Sequence, residues 1–508
     1  MSVSFFMFIF SEYCLLLFKL NHIMELEYHY VEWGGVIMTK IQPLRKETDT
    51  AQKTTGLKRG LGFVDLWSVG VGALIGGGIF TVIGPAVAQA GPALFIAFII
   101  AGIVALLSSM SYAEMASIWP YQGASYAYAK FAFAPLSKSL GQLIALWCSG
   151  LYFLSFAFAA GAVNLGFAGY FSFIFPGVDP SISAPLISVL ITLLLLVGIT
   201  ATGKVNTFFS IIQVLSLFAI AIVALFANPA GPFESGNFMP NGWTGVFAAT
   251  ALIAFGQMQV EAVLTLGEEA KNPRRNLPLA QISALVTVVI LYILTGYGTT
   301  AVASPEELAN SAAPLSLAME NVLPGIGAVL IAIAALTATG TSTIGCILGS
   351  SRMLYAAARE RAVPPVFAKV GKRSGVPVYA VIFTGIIALM ATFTSAFGYS
   401  EAIGMLVSAA VFANWFMMAL MNVALIVVRV KRPDLKPRFR YPFNIKNIPV
   451  LAILATVGCI WILMYIEPLP LLIGFSWIVL LTIWYFIYSK KRWDYLDEEE
   501  MERIAQEN

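Results

Sequence analysis

Residues Gly70 to Phe80 read Gly-Val-Gly-Ala-Leu-Ile-Gly-Gly-Gly-Ile-Phe, and the triplet Gly76, Gly77 and Gly78 lies inside an interval, Leu66 to Ala113, that carries no charge. Each glycine costs a helix about 1 kcal/mol relative to alanine. A chain in hydrocarbon must satisfy its own backbone, so such a cluster needs a reason. One reason is an unwound turn, which leaves orphan carbonyls on the half-helix before it and orphan amides on the half-helix after it. With no side chains on the triplet, a carboxylate can approach those amides. The alternative is close packing of helices through small residues.

A second stretch has the same character. Leu252-Ile253-Ala254-Phe255-Gly256-Gln257-Met258-Gln259-Val260-Glu261 places a glycine, two glutamines and a carboxylate within an apolar segment. Polar groups at that depth are expensive and face a cavity or a partner. Together the two stretches suit a small zwitterion: its carboxylate on the amides of Gly76, Gly77 and Gly78, its ammonium on carbonyls near Leu74, Ile75, Phe255 and Met258.

The elements that must position these residues are legible from charge. Of 508 residues, 59% are hydrophobic and only 11% charged, with a mean hydropathy of +0.82, a composition too poor in charge to solvate a soluble domain. Asp, Glu, Lys and Arg divide the chain into apolar intervals. Most hold one spanning helix of about 20 residues, and the first holds two, hinged at Gln89-Ala90-Gly91-Pro92. The fold class predicted is an all-α membrane protein of about twelve transmembrane helices.

Parity supports that count. With Ser139 to Val178 as one helix and the N-terminus inside, all 30 Lys and Arg fall on the cytoplasmic side. The outer loops hold only Asp179, Glu234, Glu306, Glu307, Glu320, Glu401 and Glu467. This is the asymmetry that short loops obey, and it predicts cytoplasmic termini in a plasma or inner membrane.

The expected organisation is a cytoplasmic N-terminal region 1–62, a core 63–429 made of halves 63–233 and 243–429, two further helices in 447–489, and a cytoplasmic tail 490–508. The apolar stretch Phe5 to Leu20 is about 16 residues, short of a span, and has no basic leader. Translation is expected to start at Met38, with 1–37 outside the protein. The first and sixth spans hold matching places in two five-helix halves of opposite orientation, and interrupted segments so placed mark a solute site near the midplane.

Other chemistries find little support. Cys14, Cys148, Cys346 and Cys459 show no metal-ligand spacing, and His22 and His29 precede the first long span. No basic stripe suits nucleic acid. A membrane enzyme lacks a clustered acid pair facing a cavity. No cofactor and no obligate protein partner are expected; the expected partners are an amino acid and the bilayer.

Three motifs resemble the amino acid-polyamine-organocation transporter superfamily over roughly 57–492. They are Gly72 to Phe80; Tyr112-Ala113-Glu114 with Pro120 to Tyr128 and Phe133-Ala134-Pro135; and Glu268 to Pro278. The resemblance implies a five-plus-five inverted repeat with two extra helices, and transport of an amino acid by alternating access. It implies that the amides near Gly76 to Gly78 hold the substrate carboxylate, that Phe255 covers the site, and that Glu261 lies just beneath it.

The chain departs from the family pattern in two places. Gln259-Val260 precedes the acid where the family has glycine and an apolar residue, so Gln259 could narrow the pocket or bond a polar substrate. In the fifth span Gln213 stands where proton-coupled relatives resembling this chain carry lysine. Thr341, Ser342 and Thr343 in the eighth span lie where hydroxyls would ligate sodium, or they bond their own helix. Glu261 could carry a proton, gate the site, or cap the restarted half-helix. The coupling ion, H+ or Na+, stays open. So do a polyamine or organic-cation carrier, an exchanger without ion coupling, and a transporter-like nutrient sensor.

Overall fold

The computed structural model describes residues 61–120, 123–198, 203–228, 231–234, 237–267, 270–371 and 374–493. The expectations for the start at Met38, for nearly all of 1–62 and for the tail after Trp493 lie outside the described residues, as do Glu268 and Glu269 of the third motif.

Helix α1 (Phe63–Ile75) starts at Gly62, whose amide donates to Asp65 Oδ2 at 2.8 Å. It ends at Gly76, and α2 (Gly78–Ala90) resumes two residues later. Gly91, with φ 59°, turns the chain into a short Gly91–Ala93 turn and then α3 (Leu94–Ile118). The whole apolar run Phe63–Ile118 has 56 residues, and as a straight rod would be more than twice the bilayer core. A loop helix α4 (Ala124–Phe133) precedes α5 (Lys138–Ile174), which is continuous through the interval whose single helix decided the parity.

Then come α6 (Pro180–Val197), started by Asp179 accepting from Ser181 N at 2.8 Å, and α7 (Gly203–Ala227). Helix α8 (Gly242–Ile253) runs into a 3-10 segment, Ala254–Ala262. Helices α9 (Pro273–Val302), α10 (Pro305–Asn310), α11 (Pro314–Glu320), α12 (Ile326–Arg359), α13 (Val378–Thr392) and α14 (Tyr399–Lys431) follow. A small hairpin, β1 (Asn444–Ile445) against β2 (Ile448–Pro449), leads to α15 (Val450–Leu463) and α16 (Pro468–Trp484).

Among the described residues ten helices are long and apolar enough to cross a membrane, and Val450–Leu463 is a shorter apolar one. The expected twelve crossings count Phe63–Ile118 twice and add Val450–Leu463. Large side chains such as Leu186, Val197, Phe226 and Met464 are two-thirds or more exposed. Such a belt suits hydrocarbon and not water. The chain is a multi-pass membrane protein.

Burial places the site. Helix α5 is the most enclosed span, while α6 and α16 lie on the outside. The 3-10 segment packs against α1, α2, α3, α9 and α14, so both interrupted elements meet at the centre. Two buried ion pairs tie the structure on the charged side. Glu114 at the end of α3 meets Arg429 at the end of α14 at 2.6 Å, and also accepts from Tyr441 N at 2.7 Å. Lys130 of α4 meets Glu360 at 2.7 Å, and the same carboxylate oxygen accepts from Tyr126 and Trp493.

Candidate functional site

The break in the first span is a turn of two residues. Gly76 N makes the last bond of α1, to Gly72 O at 3.3 Å, and Thr81 N makes the first bond of α2, to Gly77 O at 3.0 Å. By helix geometry the amides of Gly78, Ile79 and Phe80 have no acceptor within α2. On the other side of the turn, Leu74 O and Ile75 O end α1.

A residue that sequence reasoning missed occupies the gap. The hydroxyl of Tyr292, on α9, donates to Leu74 O at 2.8 Å and lies 3.4 Å from Ile75 O, and it sits close to the amide of Ile79 at the start of α2. One buried phenol therefore splices the two half-helices. Nothing in the local sequence signals this, because Tyr292 is 218 residues from Leu74.

The second break is gentler. After Ile253 the chain tightens into 3-10 geometry, and Gln259 (φ −84°, ψ 26°) leaves helical space altogether. Tighter winding shifts the bonding pattern and frees carbonyls at the junction. Trp415 Nε1 satisfies one, donating to Ala254 O at 3.1 Å. Gln257, with its amide oriented to match its neighbours, donates to Ala101 O at 2.8 Å and accepts from Gly102 N at 3.3 Å. It is thereby spent on α3.

The glycines do more than break the helix. A methyl group on Gly78 would stand 2.6 Å from Gly256 Cα, one on Gly77 2.5 Å from Val163, and one on Gly76 2.8 Å from Ser342 Oγ. The chain turns at Gly76–Gly77, and the same glycines let the neighbours close in.

Between the breaks lies a small cavity of about 10 Å³. That is about the requirement of one water. Leu74, Gly78, Phe255, Met258 and Gln259, named above for the substrate, and Ser342, named for coupling, line it. Phe156, Ala159 and Val163 of α5, with Gly256 and Cys346, complete the wall and were not foreseen. Ile75, Gly76 and Gly77 stand outside the lining.

Glu261 lies off this cavity, buried. Its Oε2 accepts from Ser125 N at 3.2 Å, in the first turn of α4. The capping expected of it is therefore given to another helix. The 3-10 segment runs on through Ala262 with no restarted helix end for the acid to serve, whereas α4 begins at Gly123 (φ 105°) with first-turn amides that have no acceptor within the helix. Glu261 Oε1 and the hydroxyls of Ser125, Tyr112 and Tyr128 have no hydrogen-bond partner among the described residues. Tyr112, Tyr128, Cys148 and Tyr152 all lie close enough to feel the carboxylate's charge.

Of the three hydroxyls considered for sodium, those of Thr341 and Thr343 are engaged with their own helix, while Ser342 lines the cavity. Thr341 donates to Thr337 O at 2.8 Å and Thr343 to Thr339 O at 3.0 Å, with Thr343 also 2.8 Å from Asn164 Oδ1. Gln213 Nε2 donates to Thr341 Oγ1 at 3.3 Å, linking α7 to α12. No cluster of three or more His, Cys, Asp or Glu is present among the described residues.

Interrupted spans meeting beside a buried cavity are a feature of polytopic transporters. Residues 61–490 match the amino acid permease family, and the chain belongs to it, within the amino acid-polyamine-organocation superfamily. The chain is similar to a branched-chain amino acid permease of Bacillus subtilis, 30% identical over 86% of this chain and 94% of that one. It is also similar to a methylthioribose transporter of the same organism, 31% identical over 88% and 96% respectively. An aromatic amino acid transport protein of Salmonella typhimurium is 26% identical over 87% of this chain and 98% of its own. These are transporters and not enzymes.

Proposed function

We propose that this chain is a secondary active transporter of a neutral amino acid with an apolar side chain, working by alternating access. The observation that carries the reading is the convergence of Leu74 and Gly78, which flank the Gly76–Gly77 turn, and the Ala254–Ala262 segment on one cavity. The amides at the start of α2 receive the carboxylate; the carbonyls of the 3-10 segment receive the ammonium. Leu74, Phe156, Val163, Phe255 and Met258 line the cavity without any Lys, Arg, Asp or Glu, which supports an uncharged side chain. The similarity to a branched-chain permease supports the same substrate class. A polyamine carrier would want a carboxylate in the lining.

For coupling we favour the proton. Glu261 is a buried carboxylate beneath the cavity with one oxygen that has no hydrogen-bond partner among the described residues, whereas the threonine hydroxyls serve their own helix. The placement of Lys and Arg supports cytoplasmic termini and residence in the cell membrane.

A second reading rests on the similarity to a methylthioribose transporter, a carrier of a neutral thio-sugar. Gln259 and Ser342 would then bond hydroxyls beside Met258 and Cys346. Uptake by proteoliposomes of labelled leucine, isoleucine, valine, lysine and methylthioribose, under separate proton and sodium gradients, tests both. Saturable, proton-driven entry of the branched-chain set is expected. Entry of methylthioribose alone would transfer the assignment, and sodium-driven entry would overturn the coupling.

A further inference from the structure

Away from the central cavity, three guanidinium groups share a second one. Arg274 and Arg275 lie in the first turn of α9, and Arg438 comes from the loop after α14; with Pro278, Leu279 and Phe439 they line a cavity of about 330 Å³. Arg274 and Arg438 are close enough to repel each other. We propose that this cavity binds the phosphate-bearing headgroup of an anionic phospholipid.

The walls are built rather than fluid. Phe439 O accepts from Ser117 Oγ at 3.3 Å, and two residues on, Tyr441 N is held by Glu114 at 2.7 Å and Tyr441 Oη by Leu107 O at 2.7 Å. The Arg438 side of the cavity is thus tied to the end of α3, while the Arg274 and Arg275 side is rigid helix. Planar guanidiniums on facing walls suit bidentate recognition of phosphate oxygens, and a phosphate relieves their repulsion. The start of α9 adds favourable dipole charge.

The ligand must also have an apolar part. Pro278, Leu279 and Phe439 line the same cavity, and Leu279 is exposed. Val286 and Ile290, also exposed, continue from Leu279 at spacings of seven and four along α9, which is one helical face. A stripe leading from a basic pocket along a spanning helix fits an acyl chain below a headgroup, and basic pockets at membrane boundaries bind such lipids. Free phosphate would use the arginines and leave the stripe unused.

The test uses the full chain purified in neutral detergent, with binding followed by native mass spectrometry and by thermal shift. The probes are short-chain phosphatidylglycerol, phosphatidylcholine and inorganic phosphate. Phosphatidylglycerol is expected to bind and stabilise, and phosphatidylcholine to do neither. Removing a charge should weaken binding about fivefold, so the double variant Arg275→Gln, Arg438→Gln should lose about 25-fold. Both side chains are exposed, so the lipid-free thermal midpoint should hold. Arg438→Lys, which preserves charge without the fork, should lose less and guards against a folding defect. Lys271→Gln, an exposed charge outside the lining, should change nothing. Undiminished binding in the double variant, an equal loss in Lys271→Gln, or displacement of the lipid by equimolar phosphate would each overturn the proposal.

Discussion

The hydroxyl of Tyr292 donates to the carbonyl oxygen of Leu74 across 2.8 Å, joining α9 to the end of the half-helix that the glycine triplet interrupts. Tyr292→Phe removes the splice and leaves the buried carbonyl of Leu74 to find another partner. An unpaired buried group costs about 1–3 kcal/mol. The thermal midpoint should fall accordingly, and uptake at low substrate should drop by about tenfold or more while membrane insertion is kept. Wild-type uptake and stability in this variant would show that the break holds itself.

Gly78 and Gly256 bring the two interrupted elements into backbone contact. In Gly78→Ala the added methyl would stand 2.6 Å from Gly256 Cα, and backbone cannot yield as a flexible side chain does. Overpacking of this kind costs about 1–3 kcal/mol, and transport should be abolished because the cavity lies at that contact. Gly340→Ala, where no atom lies within 4 Å, should behave as wild type. Equal effects from the two variants would sink the assignment.

Glu261→Gln separates a cap from a carrier. The amide can still accept from Ser125 N, so folding should be preserved. If the carboxylate moves the proton, the variant exchanges substrate across the bilayer but no longer accumulates it under a pH gradient. Retained gradient-driven accumulation would leave Glu261 as a cap alone.

The Glu114–Arg429 pair is buried on both sides. Arg429→Met leaves a carboxylate without its cation, and breaking such a pair by one partner costs about 3–5 kcal/mol. Glu114→Gln, Arg429→Met together should recover part of the loss, because no lone charge remains. The thermal midpoints of the two singles and the double, read as a mutant cycle, check this; strict additivity would show the pair to be uncoupled.

Much of the architecture was legible because the bilayer is a severe solvent. The charge-free intervals and the glycine triplet follow from rules that act residue by residue. The turn at Gly76–Gly77 and the departure of Gln259 from helical angles fall inside the two segments singled out. Composition and local backbone preference suffice for such features, whatever the rest of the chain does.

Which groups meet at those breaks was decided by tertiary packing. Tyr292 and Trp415 supply the hydrogen bonds, α5 contributes Phe156, Ala159 and Val163 to the cavity, and Glu261 serves the amides of α4. The partners lie from about a hundred to more than two hundred residues apart, as with Ser125 and Glu261 at 136 and Leu74 and Tyr292 at 218. A backbone orphaned by local sequence is a demand that any suitably placed donor can meet. Only the packing of helices selects the donor, because side-chain direction and interhelical distance are properties of the assembled bundle.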